Sequence, residues 1–113
     1  MYYIYILGCT DGSLYTGVTT NIIRRVREHY YKLPGCAKYT ASRGVCSLEA
    51  LWTSPEKSSA YRLEYHIKQL THSQKLSLIS SPKVLPQLMP GLDCTAYEIC
   101  TDIKFADCIA PNE

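Results

Sequence analysis

The sequence predicts an α+β domain, and three observations point to it. Two short β-branched and aromatic runs lie on either side of a GCTDG link near the start of the chain. Stretches with helical periodicity follow, and a third strand-like run sits between the two longest of them. With 113 residues, 46% hydrophobic and 19% charged, the chain is long enough for one modest core and has the composition of a globular domain.

Residues 2–7 (YYIYIL) and 13–19 (SLYTGVT) are expected to pair as a β-hairpin. Asn21 is placed to cap a helix through IIRRVREHYYKL, with Ile22, Val26, Tyr30 and Leu33 on its apolar face and Pro34-Gly35 as its stop. The opposite face presents Arg24, Arg25 and Glu28. Residues 34–47 read as a polar, glycine-punctuated loop carrying Lys38 and Arg43, and LEALWT then reads as the third strand. Ser54 and Pro55 introduce a second helix, about residues 56–70, with Ala60, Leu63, Ile67 and Leu70 turned inward, and a short third helix follows over 73–79.

Beyond residue 80 the pattern changes. Pro82, Pro86, Pro90 and Gly91 interrupt the chain and the apolar residues fall into short clusters. Residues 1–80 are therefore read as the domain and residues 81–113 as an extension of unassigned role. It is a tail that wraps the domain, a segment that binds a protein partner, or partly ordered sequence, with partial order favoured because apolar residues are not depleted. Charge divides at the same place: ten Lys/Arg against five Asp/Glu before the break, two against five after it. A net +5 on the first part favours a polyanionic partner.

No stretch approaches the roughly 20 apolar residues of a membrane span. The apolar start of the chain has neither a basic flank nor a small-residue cleavage site, so it reads as a strand, and a cytoplasmic location is expected. In such a reducing compartment the six cysteines are expected to stay as thiols, and their spacing does not suit zinc.

The order strand, strand, helix, strand, helix carries Tyr3-Ile4-Tyr5, then Tyr15-Thr16-Gly17, then Arg25 with His29, then Glu64 on the second helix. Tyr5 and Tyr15 are ten residues apart, as are Tyr15 and Arg25. Over residues 2–79 this constellation resembles the GIY-YIG nuclease superfamily. Ala37-Lys38-Tyr39-Thr40 with Arg43, and Glu64 followed by Ile67-Lys68, look like its small single-domain branch. That branch is related to the nuclease subunit of structure-specific endonucleases and to the incision domain of excision repair. The resemblance implies a small three-stranded antiparallel sheet flanked by helices, one divalent metal, and hydrolysis of phosphodiester bonds in DNA. Tyr3 replaces the first glycine of GIY and Thr16 the isoleucine of YIG, and the HSQKLSLI segment offers no counterpart to the Asn some members carry after the metal-binding Glu.

Such hydrolysis needs an activated water, a Lewis acid and positive charge on the phosphate. Glu64 is the candidate ligand for Mg²⁺ or Mn²⁺, since one carboxylate plus waters and a phosphate oxygen makes an ordinary shell. Arg25 can fork onto the scissile phosphate, and His29, one helical turn on, can take a proton near neutral pH and hydrogen-bond a tyrosine. Tyr5 and Tyr15 are the candidates for activating water, although a free phenol with a pKa of about 10 needs help to act as a base. Taken singly, each residue has a plainer reading: Glu64 as a partner of Lys68, His29 as a helix-surface side chain, the tyrosines as packing. Their order along the chain selects the chemical one.

Hairpin register tests the arrangement. A two-residue turn at Asp11-Gly12 puts Tyr5 and Tyr15 on opposite faces of the sheet; a three-residue turn with Gly12 left-handed pairs Leu7 with Tyr15 and puts both on one face. Lys38, Tyr39, Arg43 and Lys68 are expected either to grip backbone phosphates beside the cut or to be solvated. Phosphate contacts carry no base information, so the expectation is selectivity for nucleic-acid structure and not for sequence, with DNA favoured over RNA. A non-catalytic nucleic-acid-binding domain of the same fold, and an interaction module recruiting a partner through its acidic tail, are the alternatives.

Overall fold

The computed structural model describes residues 1–111. Its elements are β1 (Tyr2–Cys9), β2 (Leu14–Thr19), α1 (Ile22–Tyr30), α2 (Lys38–Arg43), β3 (Val45–Ser54), α3 (Lys57–Gln69) and α4 (His72–Ser80). After these come α5 (Leu85–Leu88), β4 (Glu98–Ile99) and α6 (Phe105–Ile109), with 3₁₀ turns at 82–84 and 94–96. The fold is α+β, and its antiparallel sheet has four strands in the order β2-β1-β3-β4, one more than expected. The added strand is two residues long and exists only by pairing Ile99 with Trp52 and Glu98 with Thr53. Two residues leave no alternation in a sequence.

The hairpin takes the three-residue turn. The Cys9 N–H donates to the Ser13 carbonyl at 2.9 Å, and Gly12 has a φ of +84°. The Asp11 carboxylate accepts the Ser13 N–H at 3.0 Å and holds the turn. Leu7 pairs with Tyr15 and Tyr5 with Gly17, so the two tyrosines share a face.

As an interior strand, β1 is covered on both sides. Ile4 and Ile6 join Trp52, Ala60, Leu63, Ile67 and Leu78 beneath α3 and α4. Tyr5 and Leu7 face the other way and join Ile22, Val26, Leu51 and Cys108. Period-2 alternation thus divides one strand between a purely structural core and the layer that holds α1.

Asn21 caps α1, its side-chain oxygen accepting the Arg24 N–H at 3.1 Å. The helix stops at Tyr30, short of the expected Leu33, because Lys32 turns the chain with a φ of +54°. Tyr30 and Leu33 are therefore exposed, and the buried face consists of Ile22, Val26 and His29. The segment expected to be a loop contains α2, ended by Gly44 at φ +78°. Six residues without a side-chain N-cap are too few to show a helical period.

Residues beyond 81 cover both faces. Leu85, Met89, Leu92 and Tyr97 pack into the α3 layer, and the Tyr97 hydroxyl donates to the Ser59 carbonyl at 2.6 Å. On the other side α6 buries Cys108 against α1, where Tyr31 donates to the Ile109 carbonyl at 2.7 Å and Arg27 to that of Ala110. Among the described residues no helix is long and apolar enough to cross a membrane.

Candidate active site

Tyr5 reaches from the middle of the sheet across the edge strand β2. It can do so because Gly17 stands opposite: a Cβ there would lie 2.3 Å from the phenolic oxygen and 2.5 Å from Cζ. Glycine at this point is a steric requirement of the tyrosine's path. The hydroxyl ends 3.0 Å from Nε2 of His29, which α1 directs inward from its fully buried face.

The other ring nitrogen fixes which atom carries the proton. His29 Nδ1 is 2.8 Å from Oγ1 of Thr40 on α2, and Thr40 spends its own hydroxyl proton on the Ala37 carbonyl at 3.0 Å. Thr40 must therefore accept, so Nδ1 bears the hydrogen and Nε2 presents its lone pair to the Tyr5 hydroxyl. Burial, together with the Arg25 charge, lowers the pKa of His29 to about 4, which keeps the ring neutral. Burial also raises the Tyr5 phenol well above its ordinary value, with Tyr15 and Glu64 adding to the rise while Arg25 opposes it. At neutral pH the pair is thus a neutral phenol donating to a neutral imidazole.

Arg25 lies beside this pair, half-buried on the same side of α1. Its Nη1 donates to the Glu28 carboxylate at 3.1 Å and to the Gly35 carbonyl at 2.9 Å. Burial works against its charge, but Glu28 and Tyr5 outweigh that and raise its pKa. A polar cleft of about 200 Å³ opens next to it, lined by Thr19, Thr20, Asn21, Arg24, Arg25 and Glu28. Tyr15 completes an aromatic cluster, its ring centroid 5.3 Å from His29, 6.4 Å from Tyr5 and 5.7 Å from Tyr39.

Glu64 projects from α3, and its charge is the smallest of the influences that raise the Tyr5 phenol. Its carboxylate is 3.4 Å from the Lys68 ammonium one turn on. This is one hard oxygen donor, and among the described residues no group of three or more His, Cys, Asp or Glu gathers into a cage. Such a donor set fits Mg²⁺ or Mn²⁺, which bind through one or two carboxylates and keep several waters, and does not fit zinc.

Tyr5, Tyr15, Arg25 and His29 are therefore together, with Glu64 within electrostatic reach. Tyr39 joins through Tyr15, and Arg43 stacks over the Tyr39 ring at 3.7 Å while its Nε meets Asp11 at 3.2 Å. Lys38 is exposed at the start of α2, and Lys68 is tied to Glu64. Sequence reasoning missed the parts played by Thr40, Gly17 and Glu28. Gly17 was within reach, because a Leu7–Tyr15 pair requires a Tyr5–Gly17 pair; Thr40 was not, because its helix leaves no periodic signal.

A family model described as the GIY-YIG catalytic domain matches residues 1–77. The UPF0213 protein BH0048 of Halalkalibacterium halodurans is 46% identical over 79 residues, 70% of this chain and 82% of its own length. The UPF0213 protein CPE1444 of Clostridium perfringens is 47% identical over 85 residues, 74% of this chain and 88% of its own. The solution NMR structure of the UPF0213 protein BH0048 from Bacillus halodurans, at 40% identity, covers 82% of this chain and 98% of that one with a TM-score of 0.48.

Proposed function

Because the chain belongs to the GIY-YIG catalytic domain family, we propose that it is a divalent-metal-dependent endonuclease that hydrolyses phosphodiester bonds in DNA, selecting for structure and not sequence. The observation that carries this reading is the hydrogen-bonded series Tyr5–His29–Thr40, set beside Arg25 and within reach of Glu64. A satisfied buried series also rigidifies a core, and what favours chemistry here is its place beside Arg25.

Tyr5 accepts a proton from water as its own hydroxyl proton passes to Nε2 of His29. The hydroxide so formed attacks phosphorus, and His29 becomes the imidazolium, still donating from Nδ1 to Thr40. Neither step leaves a bare phenolate, which the burial of Tyr5 disfavours. Arg25 stabilises the charge that develops on the phosphate: Nη1 is held by Glu28 and Gly35, and a guanidinium has further donors on Nε and Nη2. Glu64 would hold the divalent metal, and the chemistry that metal would supply there is Lewis acidity toward the phosphate. Lys38 and the stacked Tyr39–Arg43 pair meet backbone phosphates flanking the cut.

The test is cleavage of supercoiled plasmid, splayed-arm and single-stranded DNA with Mg²⁺ or Mn²⁺, comparing wild type with Glu64→Gln and Arg25→Ala. Wild type is expected to cut, chelation to stop it, and Arg25→Ala to slow it by about 10²–10³-fold. Equal residual activity in all three proteins would mark the cleavage as contamination and favour a binding-only domain.

A further inference from the structure

Apart from Glu64 and the Lys68 paired with it, the outward face of α3 has no role in the chemistry above, yet it is not an ordinary solvated face. At 100° per residue, Lys57, Tyr61, Glu64, Tyr65 and Lys68 fall in one stripe about 100° wide. Tyr61 and Tyr65 expose 48% and 61% of their surface, among the largest apolar exposures in the chain. Lys57, Arg62 and Lys68 are exposed around them, and the Lys57 ammonium sits 5.8 Å from the Tyr61 ring centroid. His66 meets the Tyr65 ring edge-on at 5.6 Å between centroids, yet both tyrosines stay largely open to solvent, while Ala60, Leu63 and Ile67 are turned into the core. Glu64 lies at the border between this stripe and the site.

We propose that this stripe is a stacking platform for unpaired nucleotides next to the scissile phosphate, with bases on Tyr61 and Tyr65 and backbone phosphates on Lys57, Arg62 and Lys68. The inference rests on the nuclease reading and adds the part of the substrate that must be single-stranded. Charge complementarity names the occupant: three cations flank two aromatic faces, the combination by which single strands are held without sequence preference. Tyrosines at i and i+4 lie about 6 Å apart along the helix, so successive bases can engage successive rings. Base pairs bury their faces against one another and offer nothing to these rings. A frayed, flapped or splayed substrate is therefore selected over an intact duplex by what it leaves unstacked.

The experiment is fluorescence anisotropy of the full chain in EDTA at one fixed salt concentration, using single-stranded, splayed-arm and blunt duplex DNA of one length. Wild type should bind the first two more tightly than the third. Tyr61→Ala and Tyr65→Ala should each weaken single-strand and splayed-arm binding by about tenfold while changing duplex binding little, and the Tyr→Phe pair should keep the preference, since the ring face remains. An unchanged preference in the double alanine variant would overturn the platform and leave the nuclease reading standing. Loss of the preference in a protein that cuts nothing would keep the platform and remove catalysis; no binding by wild type to any of the three would remove both. Self-association of wild type abolished by the double variant without DNA would assign the stripe to a second copy and overturn the proposal.

Discussion

Gly17 faces Tyr5 across the β1–β2 ladder, and a Cβ on Gly17 would fall 2.3 Å from the tyrosine's hydroxyl oxygen. The tail of the YxG tripeptide and the head of the Tyr5–His29–Thr40 hydrogen-bonded series are thus one feature. Gly17→Ala should displace the phenol, destabilise the fold by roughly 1–3 kcal/mol as an overpacked site does, and abolish cleavage. In a Tyr5→Ala background the same substitution should cost little. A double-mutant cycle by urea unfolding measures the coupling, and additive effects would show that the glycine serves something else.

Thr40→Val keeps the shape and removes the acceptor. It leaves the Nδ1 hydrogen of a buried imidazole unpaired, a cost of about 1–3 kcal/mol, and frees the ring to take the other tautomer. Cleavage should fall by roughly 10- to 100-fold, by analogy with metal-ligating imidazoles that lose their outer partner. Thr40→Ser should restore both. Imidazole nitrogen shifts in NMR report the tautomer directly, and an unaltered Nδ1–H state in Thr40→Val would contradict the assignment.

Folding stability should depend on His29 in a defined pH window. Its pKa is about 4 when folded against about 6.5 unfolded, so between those values the unfolded chain binds more protons and stability falls as pH falls. The contribution is fully present above pH 6.5 and is lost towards pH 4. Between pH 7 and 5 wild type should lose roughly 2 kcal/mol more than His29→Gln. Parallel urea-midpoint curves for the two proteins would show that the ring titrates normally.

Thr16 fills the place of the YIG isoleucine, and its hydroxyl oxygen is buried with no hydrogen-bond partner among the described residues. Thr16→Val removes a stranded polar group at nearly constant volume, so it should stabilise the protein by about 1 kcal/mol without touching the Tyr5 face of the sheet. Thermal unfolding checks this; a lower melting temperature would mean that the hydroxyl is satisfied in solution.

How much could be read in advance follows from the range of the forces involved. Hairpin register was legible only as a choice of two: the glycines and the aspartate narrow the turn to a two- or a three-residue form, and the Leu7–Tyr15 pairing of the structure selects the second, which fixes which tyrosines meet. Arg25 and His29 were legible because four residues on a helix share a face. The end of α1 was not, since the apolar Leu33 continued the period while Lys32 had left the helix. Thr40 and the fourth strand escaped for a common reason. Each is placed by a tertiary contact, Thr40 by His29 and Ile99 by Trp52, within segments too short to announce themselves.

The bonds from Arg27 and Tyr31 to the carbonyls of Ala110 and Ile109 join residues 83 and 78 positions apart. During synthesis, α1 emerges long before the segment that covers its outer side. Closing so long a loop is entropically slow compared with forming the hairpin, so the α6 cover over the helix bearing Arg25 and His29 is expected to dock after the hairpin and after that helix meets β1. A nascent chain on the ribosome would hold its hairpin and its tyrosines, surrounded by RNA, while the layer that aligns them still lacked its outer support.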